Sequence, residues 1–110
     1  MTPVAQFAAL ADPTRCRVLE LLNDRARPVH ELASAFSISR PAISRHLRVL
    51  KEAELVREEK RGRENVYALD IARLGDIKGW LGELGSPKRA APRSRTEKVD
   101  LFTSDLFAGG

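Results

Sequence analysis

The sequence predicts a mainly helical α+β fold: four helices, a two-stranded β-hairpin, a C-terminal helix and an appended tail. Three observations carry this. In residues 39–51, Ile43, Leu47 and Leu50 recur at i, i+4, i+7 and share one side of a helix. Helical periodicity then lapses from Leu55 to Leu69, where charged runs flank Arg61-Gly62-Arg63 and Asn65–Leu69 is rich in β-favouring residues. It returns at Ile71, Leu74, Ile77, Trp80, Leu81 and Leu84.

Taken in order, Thr2-Pro3 is a helix start, with Thr2 as N-cap and proline at the first helical position, leading through Val4, Phe7 and Leu10. Asp12-Pro13 repeats that signal before the Val18, Leu19, Leu22 stripe, and Asn23-Asp24 closes the second helix. A connector follows over Arg25–Pro28. Val29, Leu32, Ala33 and Phe36 place a third helix at about 29–36, ended by Ser37-Ile38-Ser39. Ser39 caps the fourth helix, which runs to about Glu54, so the third and fourth helices form a helix-turn-helix. Gly62 sits near the hairpin tip, and Asp70 is placed to cap the last helix, which Gly75, Gly79 and Gly82 weaken.

The 110 residues make one domain over 1–85 and a tail over 86–110, which joins a Pro-, Ser- and Arg-rich basic linker to an apolar arm containing Val99, Phe102 and Leu106. Net charge is +4, favouring an anionic partner. Its distribution says more: residues 37–63 hold eight basic groups against four acidic ones, and residues 86–98 five against one. A single cysteine, Cys16, excludes an intrachain disulfide and a cysteine-based zinc cluster. No secretion signal or stretch of about 18 apolar residues is expected, which points to a cytoplasmic protein without membrane contact.

The fourth helix carries the chemistry. Opposite its apolar stripe stand Pro41, Arg45 and Arg48, with Ser44 on the flank, a polar cationic side suited to the major groove of double-stranded DNA. Ser39, Arg40 and Pro41 open the helix, where free N–H groups and the helix dipole favour a phosphate. Arg45 has the fork geometry for a guanine edge, and Arg48 suits either a phosphate or solvent. For His46, at the edge of the apolar face, DNA contact and packing or hydrogen bonding within the domain both stand open.

The chain resembles the ArsR/SmtB-type winged helix-turn-helix repressors. The resemblance rests on Asp12-Pro13-Thr14-Arg15 leading into Val18-Leu19-Leu22, then Glu31-Leu32-Ala33, and then Ile43-Ser44-Arg45-His46-Leu47-Arg48-Val49-Leu50. Ala53-Glu54-Leu55-Val56 and Arg61-Gly62-Arg63 with Tyr67 and Leu69 follow in the family's order, so that residues 4–84 are covered. Membership implies a homodimeric repressor whose first and last helices pair across a two-fold axis through Val4, Phe7, Leu10, Ile77, Trp80, Leu81 and Leu84. It places Ser44 and Arg45 in the groove of a palindromic operator and Arg61 and Arg63 of the wing against the backbone or the minor groove.

Many such repressors sense metals through cysteines on the third helix or Asp/His sets on the last. Here the third helix offers His30, Glu31 and Ser34, and the last offers Asp76 and Glu83 without histidine, so neither a metal site nor another cofactor is expected. An effector, if there is one, is unidentified. Cys16 reads as a small half-buried apolar group rather than a redox sensor. No phosphate loop, paired-carboxylate site or nucleophile–histidine pairing suggests an enzyme. The competing class is a winged-helix protein-interaction module without specific DNA binding, which would expose apolar anchors where Pro41, Ser44, Arg45 and Arg48 stand.

Overall fold

A computed structural model describes residues 2–86. The elements run α1 (Val4–Leu10), α2 (Pro13–Asp24), β1 (Arg27–Pro28), α3 (Val29–Ser34), α4 (Arg40–Glu52), β2 (Val56–Arg61), β3 (Glu64–Leu69) and α5 (Ile71–Glu83). The linker and arm expected beyond Ser86 lie outside the described residues. None of the described helices is long and apolar enough to cross a membrane.

Local chemistry sets the helix starts. Asp12 accepts from the Arg15 backbone N–H at 3.0 Å, Ser39 from Ala42 at 3.2 Å and Asp70 from Arg73 at 3.0 Å, each satisfying an N–H that the first helical turn leaves free. The expected Thr2 cap is not formed: Pro3 is the capping residue of α1, without a side-chain hydrogen bond. α3 is shorter than its apolar spacing suggests, because the Ala35 and Phe36 N–H groups turn back to Leu32 and Ala33 in a tight turn.

α4 ends in a Schellman motif. Leu55 N–H donates to the Leu50 carbonyl at 3.0 Å and Glu54 N–H to that of Lys51 at 2.9 Å, with Glu54 held at φ 63°. This turn reverses the chain into β2 and buries Leu55 completely.

Ile43, Leu47 and Leu50 of α4 are fully buried beside Val18, Leu22, Leu32 and Val56, forming the core that fixes the helix to the domain. The sheet has three antiparallel strands in the order β1-β3-β2, one more than the expected hairpin. Arg27 and Pro28 pair with Tyr67 and Val66 on the edge of β3 that β2 leaves free. At the far end, Arg61 pairs with Glu64 across the two-residue turn Gly62-Arg63. Gly62 has φ +62°, as the first central residue of a type II′ hairpin turn requires.

Candidate nucleic-acid interface

With the Ile43/Leu47/Leu50 side consumed by the core, the rest of α4 divides into three sectors. Arg40, Ser44, Arg48 and Lys51 form a row at i, i+4, i+8, i+11 that faces the wing. Together with Val29, Glu58, Asn65 and Tyr67 they line a cleft between α4 and the β2–β3 hairpin. Pro41 and Arg45 are exposed on the outer crest. His46 and Val49 lie on the remaining flank, toward α1 and α2.

Of the nine residues expected to meet DNA, eight are exposed: Ser39, Arg40, Pro41, Ser44, Arg45, Arg48, Arg61 and Arg63. Arg61 and Arg63 flank Gly62 at the hairpin tip, where Arg61 also reaches Glu59 at 3.2 Å. His46 is the exception, with 23% of its side chain exposed. Its Nδ1 lies 3.2 Å from Arg15 Nη1 and 3.8 Å from Asp12 Oδ2, so its polar partners belong to the start of α2. The helical angle of position 46, between core and crest, explains why sequence spacing left both roles open.

The cleft's residues Lys51, Glu58, Asn65 and Tyr67 did not emerge from the sequence as site residues. The basic row on α4 was a usable signal for Lys51. The other three depend on how the wing folds back. Lys51 Nζ donates to Glu58 Oε1 at 2.7 Å. Chiefly because of that bond, the Glu58 carboxyl titrates below the ordinary glutamate range. Tyr67, cross-strand neighbour of Glu58, is pushed up to about 12 by burial and by hydrogen bonding to Glu58. Both groups therefore keep their neutral-pH charge states: an anion on the wall of a cationic cleft, beside a neutral phenol. Asp12 also titrates low, mainly through the Arg15 backbone N–H.

On the opposite side of the domain, α1 and α5 are neighbours, with Phe7 and Trp80 rings 5.8 Å apart at 58°. Around them Val4, Leu81 and Leu84 are 67%, 48% and 59% exposed, and Phe7 is 38% exposed. Leu10 and Trp80 are half-buried, whereas Ile77, expected with them at a subunit contact, belongs to the protomer's own core. Among the described residues no group of three or more His, Cys, Asp or Glu is placed to hold a metal ion. Cys16 is half-buried and its Sγ donates to the Leu10 carbonyl at 3.1 Å.

Comparison with known proteins agrees with this geometry. Residues 12–58 match the family described as bacterial regulatory protein, arsR family. The transcriptional repressor SdpR of Bacillus subtilis is 37% identical over 75 residues, covering 68% of this chain and 83% of that protein. The HTH-type transcriptional regulator Rv2034 of Mycobacterium tuberculosis is 42% identical over 77 residues, 70% of this chain and 72% of its own. Among solved structures, the ArsR-like transcriptional regulator from Rhodococcus sp. RHA1 matches with a TM-score of 0.69 at 35% identity, over 76% of this chain and 78% of that one. The homodimeric winged helix-turn-helix DNA-binding domain Mb0332 of Mycobacterium bovis matches with a TM-score of 0.61 at 26% identity, over 73% and 77% of the two chains. A helix-turn-helix with an exposed cationic helix, a hairpin wing beside it and this set of relatives lead to one assignment: the chain belongs to the arsR family of winged helix-turn-helix transcriptional regulators.

Proposed function

We propose that the chain is a homodimeric repressor of its own or a neighbouring operon, reading a palindromic operator with residues 39–54 and gripping the backbone with the wing at 61–63. The observation that carries this is the division of α4: three apolar residues fully buried, and Arg40, Pro41, Ser44, Arg45 and Arg48 exposed beside the wing. Arg45, on the crest, reads a guanine edge, Ser44 reaches the groove beside it, and Ser39, Arg40 and Arg48 set the register on phosphates. Two copies joined through the exposed apolar residues of α1 and α5 present two such helices to successive major grooves. The homodimeric neighbour and the repressor SdpR support this reading.

Selection from random duplex DNA, followed by footprinting on the promoter of the protein's own gene, tests it. A two-fold symmetric site protected in that promoter is the expected outcome. Weak, sequence-blind binding that vanishes with salt overturns it.

A further inference from the structure

The cleft between α4 and the wing contains a feature that a surface built only for attraction to DNA would omit. Glu58 projects from the middle of β2 into a row of cations, and its carboxylate takes up Lys51, the last basic residue of that row. The pair is not a loose surface contact on both sides: the Glu58 side chain is 20% exposed, against 53% for Lys51. Lys60, on the same face of β2 two residues on, adds positive potential, and Tyr67 stands across from Glu58 on the neighbouring strand. Glu58 is thus the more enclosed partner, on a strand paired with β3, while Lys51 reaches it on a long flexible stem.

We infer that Glu58 is a specificity-determining positioning residue: it holds the Lys51 ammonium against the wing and out of reach of the DNA backbone. The inference rests on the DNA-binding reading of this face. Its physical basis is that phosphate contacts strengthen binding to every sequence alike, whereas base contacts distinguish them. A free lysine at the end of the row would add one sequence-blind contact and narrow the ratio between operator and other DNA. Glu58 withholds that contact, so discrimination falls to Arg45 on the crest and Ser44 beside it.

The test measures binding of the full chain to its selected operator and to scrambled duplex across a salt series, for the parent, Glu58→Gln, Lys51→Met and the double variant. Glutamine keeps the shape of Glu58 and a carbonyl oxygen but loses the charge that retains Lys51. Glu58→Gln is expected to steepen the salt dependence on scrambled duplex by about one phosphate contact, roughly a three- to fourfold larger loss of affinity between 50 and 200 mM salt. The operator-to-scrambled ratio falls with it. Adding Lys51→Met to Glu58→Gln is expected to abolish the extra slope, leaving the double variant level with Lys51→Met alone. A slope unmoved by Glu58→Gln, or an increase that persists without Lys51, overturns the inference and leaves the DNA-binding reading intact. A parent protein without affinity for any duplex overturns that reading and this inference with it. Equal weakening on both duplexes at constant slope is the mark of a merely structural wing staple, and overturns the inference as well.

Discussion

Arg15 Nη1 stands 3.2 Å from His46 Nδ1, joining the start of α2 to the middle of the exposed helix α4. The same guanidinium donates from Nε to the Ala9 carbonyl at 2.6 Å, at the end of α1. The residue that holds α4 to the α1–α2 corner is therefore next in sequence to Arg45, which points the other way.

His46→Ala is accordingly expected to cost about 1 kcal/mol of stability, the value of one partly buried hydrogen bond, and to leave base preference unchanged. Thermal unfolding and a repeated duplex selection check the two halves separately. A changed consensus in the selection places His46 in the groove after all.

Arg45→Ala carries the opposite expectation. It relaxes preference at one position of each half-site by about 1–3 kcal/mol while leaving the fold unaltered. Arg63→Ala weakens binding to all sequences and lowers the salt slope by about one. Titrations of operator and scrambled duplex at several salt concentrations distinguish them.

Leu81 and Leu84, 48% and 59% exposed on α5, make few demands on the protomer itself. Leu81→Glu combined with Leu84→Glu is expected to leave helical circular dichroism in place and to halve the mass seen by sedimentation equilibrium. Unchanged mass moves the subunit contact elsewhere.

Glu54 occupies a left-handed position, φ 63°, that glycine fills without strain. For a residue with a Cβ that conformation costs about 1–2 kcal/mol, against up to about 1 kcal/mol from its exposed ion pair with Arg73. The backbone effect is the larger. Glu54→Gly should raise the melting temperature by a few degrees, and a fall shows that the ion pair with Arg73 outweighs the strain.

Acid sensitivity follows from three carboxylates. Asp12, Glu31 and Glu58 titrate below their ordinary range, through the Arg15 backbone N–H, the Arg25 side chain and the Lys51 side chain respectively. A depressed folded-state value means that the unfolded chain takes up protons first. Their stabilisation is complete above the ordinary carboxylate range and is lost as the pH falls through the folded values. At the other extreme Tyr67, pushed up to about 12, favours the folded state below the ordinary tyrosine value; that advantage fades as the pH climbs toward 12. Denaturant midpoints measured from pH 2 to 12 should show both flanks. Asp12→Asn, which keeps a capping oxygen, should soften the acid one.

What was legible in advance was whatever is encoded locally. Ser39, Pro41 and the spacing of Ile43, Leu47 and Leu50 specify α4 within a few turns of chain, and Asp12 and Asp70 announce their own helices. What escaped depends on contacts distant in sequence. Arg27-Pro28 has no strand pattern of its own and becomes β1 only because the edge of β3 is unoccupied. Glu58 and Tyr67 are an unremarked acid and a packing aromatic until the hairpin folds back on α4. The polar partner of His46 within the domain is Arg15, 31 residues away in sequence.

The third strand gives the wing a mechanical meaning. A hairpin standing alone in water is marginal and samples many shapes, and a flexible arm that grips a duplex must give up that freedom on contact. By lying along the middle of β3, residues Arg27 and Pro28 tie the hairpin to the segment between α2 and α3, while Gly62 folds its tip into a two-residue turn. Much of the ordering cost has then been met in folding, before any duplex arrives. On the DNA-binding reading proposed above, the wing would meet a duplex as a short, stiff lever whose tip is already aimed.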